Sequence, residues 1–292
     1  MKISVIIPTM NEPAIADVLR DVLDALQQHN VEVIVVDKSN DETAMRAAEL
    51  GAKVIHQTGI GYGDAYITGF QHMSNDTETV VILDGDYTYD PYDIPKLIQP
   101  INDGADFVIG SRFALMDKGA MSRRNVLGNR MLTSLIRSLY HVDITDSQSG
   151  MRAIRRSALD RLTLEAPNMP FASEMIIEAQ KEGLAITEVP IKYRHRVGRA
   201  KLYPYRDAFS ILFTTVRLVR DYNPIVIFLP IGLALILIGL GYGTTILIQY
   251  AQTGVVTRLA AAVLSVFLIL TGLQITLFGL LADIVLTNLR RR

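Results

Sequence analysis

Val80–Pro91 reads VVILDGDYTYDP: four apolar residues, then three aspartates set around one glycine. Asp84 and Asp86 stand at i and i+2. On a strand this spacing turns both side chains to one face, and at a strand end Gly85 lets both turn toward a single cation. Carboxylates with no histidine or cysteine nearby offer hard oxygen ligands, which suit Mg2+ or Mn2+. Mg2+ takes one or two carboxylates and completes its shell with water and substrate phosphate. The pair therefore points to a metal–diphosphate contact. Asp and Gly are also ordinary turn residues, so the surroundings must choose between an acidic surface turn and a metal site. The chain has no cysteine, which excludes disulfides and thiolate metal sites. A formal net charge of −1 gives no reason to expect a nucleic-acid partner.

The elements needed to position such a pair are present. KISVII, VEVIVV, AKVIH, TVVIL and DFVIG are short β-branched runs, suited to a sheet covered on both faces. Helix-compatible segments alternate with them: 12–28, 41–50, 62–72 and 91–101. Alternation of this kind predicts βαβ units and a mainly parallel sheet. Ligands of such sheets bind at the carboxyl ends of the strands. The sequence places PTMNE (Pro8–Glu12), DKSND (Asp37–Asp41), GIGYGD (Gly59–Asp64), DGD (Asp84–Asp86) and GSRF (Gly110–Phe113) there. Polar residues converge on one edge, the pattern of a nucleotide site. Gly59, Gly61 and Gly63 follow G-x-G-x-G rather than G-x-G-x-x-G and lie in the third unit, which speaks against a dinucleotide fold. They serve either a tight turn or close approach of the backbone to a ligand.

Two stretches meet the length of a bilayer. Pro224–Tyr250 carries no charge, and Leu259–Leu286 only Asp283; about 20 apolar residues span about 30 Å of hydrocarbon. Arg194, Arg196, Arg199, Lys201, Arg206, Arg217 and Arg220 precede the first, and Arg290–Arg292 follow the second. The connection Ala251–Arg258 holds a single arginine. The positive-inside rule then predicts an integral membrane protein whose anchoring hairpin has both ends in the cytoplasm. The alternative is the buried helical hairpin of a soluble protein. The apolar run before Pro8 is too short for a secretory signal, so residues 1–204 are expected to form a cytoplasmic domain. Residues 205–222 are expected as a juxtamembrane amphipathic helix and 223–292 as the hairpin. Val126, Leu127, Met131, Leu132, Leu135, Ile136 and Leu139 share another helix face, with Arg124, Asn129, Arg130, Ser134 and Arg137 around the rest. That helix suits a membrane interface or core packing.

In order, IPTMNE, VVDKSNDET, GIGYGDAYITGF, DGDYTYDP, GSRF, DSQSGMRAIRR (Asp146–Arg156), FASEMIIEAQKEG (Phe171–Gly183) and EVPIKYRHRVGRAKL (Glu188–Leu202) cover roughly residues 1–205. Together they resemble a family 2 glycosyltransferase, in the branch of dolichyl-phosphate mannose synthases and polyprenyl-phosphate glucosyltransferases. The resemblance implies a GT-A fold: an α/β, Rossmann-like, mainly parallel sheet with helices on both faces. It implies nucleotide-binding positions at Pro8, Thr9, Asn11, Glu12 and Asp37, with Gly61 beside them, and metal aspartates at Asp84 and Asp86. It further implies that Arg112, Arg123 or Arg124, and Arg196 hold an acceptor phosphate, with Lys201 near it. Asp146, Ser149, Gly150, Arg152 and Glu174 would organise the acceptor side. Two positions depart from the pattern. Thr88 stands where relatives often have glutamine, and Gly198–Leu202 reads GRAKL for G-x-S-K-L, losing a hydroxyl.

The implied reaction moves a hexose, mannose or glucose, from GDP-mannose or UDP-glucose to dolichyl or polyprenyl phosphate, inverting the anomeric carbon with Mg2+ or Mn2+. A hydroxyl acceptor needs a base. A phosphate whose second ionisation lies near pH ~6 is already largely deprotonated at neutral pH. It needs cations instead, and arginine forks match phosphate oxygens. The same arginines also serve to orient a span and attract anionic lipid. The rivals are a synthase of the same family acting on a hydroxyl, and a membrane-tethered protein that binds nucleotide sugar without turnover. A polysaccharide synthase of the Q-x-x-R-W type is disfavoured, because the chain has no tryptophan. A homo-oligomer is left open.

Overall fold

The computed structural model describes residues 1–197, 224–256 and 258–290. Two compact units divide the chain, Met1–Thr215 and Val216–Arg292. Lys201 and the amphipathic helix expected over 205–222 lie outside the described residues.

In the first unit, β1 (Lys2–Thr9), α1 (Ile15–Ala25), β2 (Asn30–Asp37), α2 (Thr43–Glu49), β3 (Lys53–His56), α3 (Tyr62–Gln71) and β4 (Thr79–Ile82) follow the expected alternation. A 3₁₀ turn (Pro91–Asp93) leads into α4 (Ile94–Asn102), because Asp90 caps Tyr92 N–H and Pro91 fixes the first turn. Then come β5 (Phe107–Met116), α5 (Arg123–Tyr140), β6 (Arg152–Arg155), α6 (Arg156–Leu159), α7 (Phe171–Lys181) and β7 (Ile186–Tyr193).

The strands form one sheet in the order β3-β2-β1-β4-β6-β5-β7, parallel except for β6, which runs antiparallel to both β4 and β5. Each sheet face carries its own apolar layer. Ile15, Val18, Leu19 and Val22 of α1 join Ile94, Leu97 and Ile98 of α4 against Ile3, Val5 and Ile7 of β1. The other layer sets Tyr66 of α3, Ile136 of α5 and Phe171, Met175 and Ile176 of α7 against Ile6, Ile34 and Phe107. Successive strand residues alternate between faces, so Ile6 and Ile7 serve different layers. Helix α5 answers the open choice at its buried edge. Ile136 packs into the core, whereas Leu127 and Met131 stay 61% and 66% exposed.

The second unit is a hairpin of α8 (Ile225–Thr253) and α9 (Leu259–Arg290). Gly254, at φ 68°, turns the chain after α8. The helices approach through small residues. A Cβ on Gly232 would lie 2.6 Å from the Gly272 carbonyl oxygen, and Ser265 Oγ donates to the Gly239 carbonyl at 2.7 Å. Both helices are long and apolar enough to cross a bilayer, and only 11% of the residues in each span's most apolar window are buried. A soluble core helix would hide its apolar face, so the exposed leucines and isoleucines favour lipid as the surrounding medium.

Candidate active site

Strand β1 lies between β2 and β4 and the connections run away from it on either side, which opens a crevice at the carboxyl ends. On one wall, Asp37 Oδ1 accepts from Thr9 Oγ1 at 2.6 Å and Ser39 Oγ at 2.6 Å, and Asp37 Oδ2 accepts from Ser39 N–H at 3.0 Å. Pro8 ends the buried run of β1 just before Thr9. Asn11 adopts φ 53°, which asparagine tolerates. Its N–H donates to Ser39 Oγ and its side-chain oxygen accepts from Asn40 N–H at 2.9 Å. Glu12 is buried, and its N–H is taken by Thr43 Oγ1 at 3.0 Å. The structure thus brings together Pro8, Thr9, Asn11, Glu12 and Asp37.

The opposite wall is the segment after β4. Asp84 Oδ1 accepts from Tyr62 Oη at 2.9 Å and Tyr66 Oη at 3.1 Å. Its carboxyl is pushed up to about 6, first by burial and then by the charge of Asp86. Gly150 leaves the room, since a Cβ there would stand 2.6 Å from Asp84 Oδ2. Asp86 Oδ1 accepts from Thr88 N–H at 3.0 Å and Thr88 Oγ1 at 2.6 Å, so Thr88 positions the aspartate. Asp86 Oδ2 faces Arg196 Nη1 at 3.2 Å, and Arg196 Nη2 reaches Glu12 Oε1 at 3.0 Å. The third aspartate is structural. Asp90 caps the 3₁₀ turn and pairs with Arg194 and Lys192.

Two carboxylates side by side, Asp84 buried and Asp86 already on a guanidinium, suit a divalent cation. Among the described residues no third histidine, cysteine or carboxylate joins them. This donor set is the one or two carboxylates that leave a cation open to phosphate.

The expected acceptor-side residues separate into distinct roles. Arg112 Nε and Nη2 grip Asp146 at 2.7 Å each, a bidentate pair buried on both sides. Burial opposes the charge of Arg112, but Asp146 together with Tyr89 and Tyr193 outweighs it and keeps the guanidinium firmly protonated. Glu188 orients that aspartate's segment by accepting from Thr145 N–H and Asp146 N–H at 2.8 Å each. Arg152 has a fully buried guanidinium that donates to the carbonyls of Ser149, Ala172 and Ser147 at 2.8 Å each, so it knits together the chain beside Asp146. Ser149 is likewise wholly buried. Glu174 accepts from Glu165 N–H at 3.1 Å and Ala166 N–H at 2.9 Å, fixing the segment opposite the glycine-rich turn. The glycines of that turn face this segment closely. A Cβ on Gly61 would sit 2.2 Å from the Pro167 carbonyl oxygen, and one on Gly63 would sit 2.0 Å from that of Ala166. Gly61 and Gly63 are therefore required by the chain's own packing. Arg123 and Arg124 lie exposed in the first turn of α5, which Ser122 caps.

Tyr62 and Tyr66, which contact Asp84, were not singled out for the site in the sequence, nor was Tyr89. Tyr62 and Tyr66 lie at i and i+4 of α3, spacing that reads as core packing. Tyr89 takes the Gly150 N–H at 2.6 Å, and Arg194 stacks 5.2 Å over Tyr87, which holds φ 63°. The alternation of Tyr87, Thr88 and Tyr89 beside the aspartates was the available signal.

Comparison with known proteins agrees with this geometry. The family Glycosyl transferase family 2 matches residues 4–163, and GtrB C-terminal hairpin matches 223–287. Glycosyltransferase AglJ of Haloferax volcanii is 34% identical over 98% of this chain and 94% of its own length. A dolichyl-phosphate hexose transferase of the same organism is 37% identical over 72% of this chain and 90% of its own. The dolichol-phosphate mannosyltransferase of Pyrococcus furiosus is 34% identical, covering 83% and 71%. In fold, the chain is similar to glucosyl-3-phosphoglycerate synthase from Mycobacterium tuberculosis, solved with Mn2+, uridine diphosphate and phosphoglyceric acid. The TM-score is 0.60, with 23% identity over 74% of this chain and 78% of that one. The chain belongs to glycosyltransferase family 2 and carries a GtrB-type hairpin as its membrane anchor.

Proposed function

We propose that this enzyme transfers a hexose from a nucleotide sugar to a dolichyl or polyprenyl phosphate at the cytoplasmic face of the membrane, with inversion at the anomeric carbon. The observation that carries the reading is the contact of Arg196 with Asp86 beside Asp84, whose carboxyl also feels the charge of Arg112, in a chain whose relatives include named dolichyl-phosphate transferases. In this reading Thr9, Asn11, Glu12 and Asp37 line the nucleoside side. Asp84 and Asp86 would hold Mg2+ or Mn2+, which supplies charge neutralisation for the departing diphosphate.

The acceptor phosphate attacks the anomeric carbon as the bond from that carbon to the diphosphate oxygen breaks. The nucleophile arrives deprotonated, so no side chain has to remove a proton. The obstacle is charge. Two unit charges about 4 Å apart repel by about 4 kcal/mol at an effective dielectric of ~20, about a thousandfold in rate. Arg112 meets this need with a guanidinium whose orientation Asp146 fixes in advance, which reduces the ordering cost of gripping phosphate. Arg196, one of Arg123 and Arg124, and Lys201 complete the cationic side. Residues 1–204 form the catalytic domain in this reading, and both chain ends face the cytoplasm.

Incubating the purified enzyme with labelled GDP-mannose or UDP-glucose, polyprenyl phosphate and Mn2+ should move label into organic-extractable lipid. Asp86→Ala should lower that transfer by about a hundredfold or more. Undiminished transfer by a folded Asp86→Ala enzyme would remove the metal assignment.

A further inference from the structure

Arg196 is engaged in a way that phosphate binding alone does not explain. Its Nη2 contacts Glu12 at 3.0 Å, its Nη1 contacts Asp86 at 3.2 Å, and its Nε is buried with no hydrogen-bond partner. The side chain is 23% exposed, so these charges are only partly screened. Main-chain bonds hold the segment there. Arg194 N–H donates to the Thr88 carbonyl at 2.7 Å, and Val197 N–H to that of Asp86 at 3.2 Å. Thr88 occupies Asp86 Oδ1, and the guanidinium takes Oδ2.

The geometry points to Arg196 as an exchangeable cation. It neutralises Asp86 while no divalent ion is bound, yields Oδ2 when ion and donor arrive, and is thereby freed for the acceptor phosphate. This rests on the acceptor reading above and names the group that holds Asp86 before the metal arrives. Two positive groups crowding one carboxylate oxygen oppose each other, so metal binding and arginine release are linked free energies. The adjacent strap keeps the released side chain close to the crevice. A phosphate oxygen can then satisfy the Nε that the resting contacts leave unpaired.

The test is Mn2+ binding to the full-length enzyme in detergent without substrates, read by electron paramagnetic resonance of free Mn2+. Arg196→Gln removes the competing cation from Asp86 Oδ2, so Mn2+ should bind about fivefold or more tightly. Glu12→Gln leaves the guanidinium to Asp86 alone, so Mn2+ should bind several-fold more weakly. A purely architectural arginine would give the opposite sign, because its loss would loosen the site. Unchanged or weaker binding in a folded Arg196→Gln protein overturns the proposal, as does unchanged or tighter binding in Glu12→Gln. If Arg196→Gln fails to fold, Glu12→Gln carries the decision. The readout needs no acceptor. Failure of the wild type to glycosylate polyprenyl phosphate would therefore strike the acceptor assignment and be told apart from failure of the exchange.

Discussion

Arg112 and Arg152 carry the same charge within forty residues of each other, yet their surroundings assign them opposite work. Arg112 spends two donors on one carboxylate, and its charge is still felt by Asp84. Arg152 spends its donors on three main-chain carbonyls with no exposed surface. Arg112→Lys preserves charge but loses the fork, so the acceptor KM should rise about tenfold while the donor KM stays near its original value. Arg152→Lys should instead cost about 2–4 kcal/mol of stability by leaving buried carbonyls unpaired. Thermal unfolding and steady-state kinetics on both variants check the contrast. A large acceptor KM change in a stably folded Arg152→Lys enzyme would return that residue to the phosphate.

Glu32 shows how one side chain on β2 fastens neighbouring elements far from the chemistry. Burial pushes its carboxyl up, but hydrogen bonds from Ser4 on β1 and from Ser74 and Thr77 ahead of β4 outweigh this and hold it below its ordinary 4.5. A lowered folded value means that the stabilisation is present above 4.5 and is lost as pH falls through the folded value. Glu32→Gln should cost about 1 kcal/mol at neutral pH, modest because the group is half-exposed. The difference from wild type should close in acid, and glycosyl transfer should be unaffected at neutral pH. Elements of this kind were unequally legible. Strands β1 to β5 announced themselves as β-branched runs bounded by polar loops. Strand β6 is four residues with an arginine at each end, and β7 is interrupted by Pro190 and studded with Glu188 and Lys192, so neither shows an apolar period. Asp84 and Asp86 were readable because their spacing and strand-end position are local. The tyrosines that hold Asp84 were not, since hydroxyls at i and i+4 on an amphipathic helix look like packing until the strand beside them is placed. Both Arg112 and Arg152 are buried, so only their partners separate them, a carboxylate for one and three carbonyls for the other, and those partners come from other segments.

At the scale of the molecule, a soluble sheet with a cationic crevice and an apolar hairpin occur in one chain, as a water-soluble donor and a lipid acceptor require. The absence of native cysteine makes the orientation directly measurable. A cysteine at Val255, 58% exposed between α8 and α9, should react with an impermeant maleimide from outside intact cells. One at Asp103, after α4, should react only once the membrane is opened. The reverse pattern would place the donor site on the wrong side for cytoplasmic nucleotide sugars. The most direct measurement offers one isoprenoid as its phosphate and as its free alcohol, in the same mixture with Mn2+ and labelled nucleotide sugar. Because no group in the crevice is asked to take a proton, sugar should appear on the phosphate alone; comparable product on the alcohol, or product only there, would contradict a transfer driven by arginines and a pre-ionised acceptor.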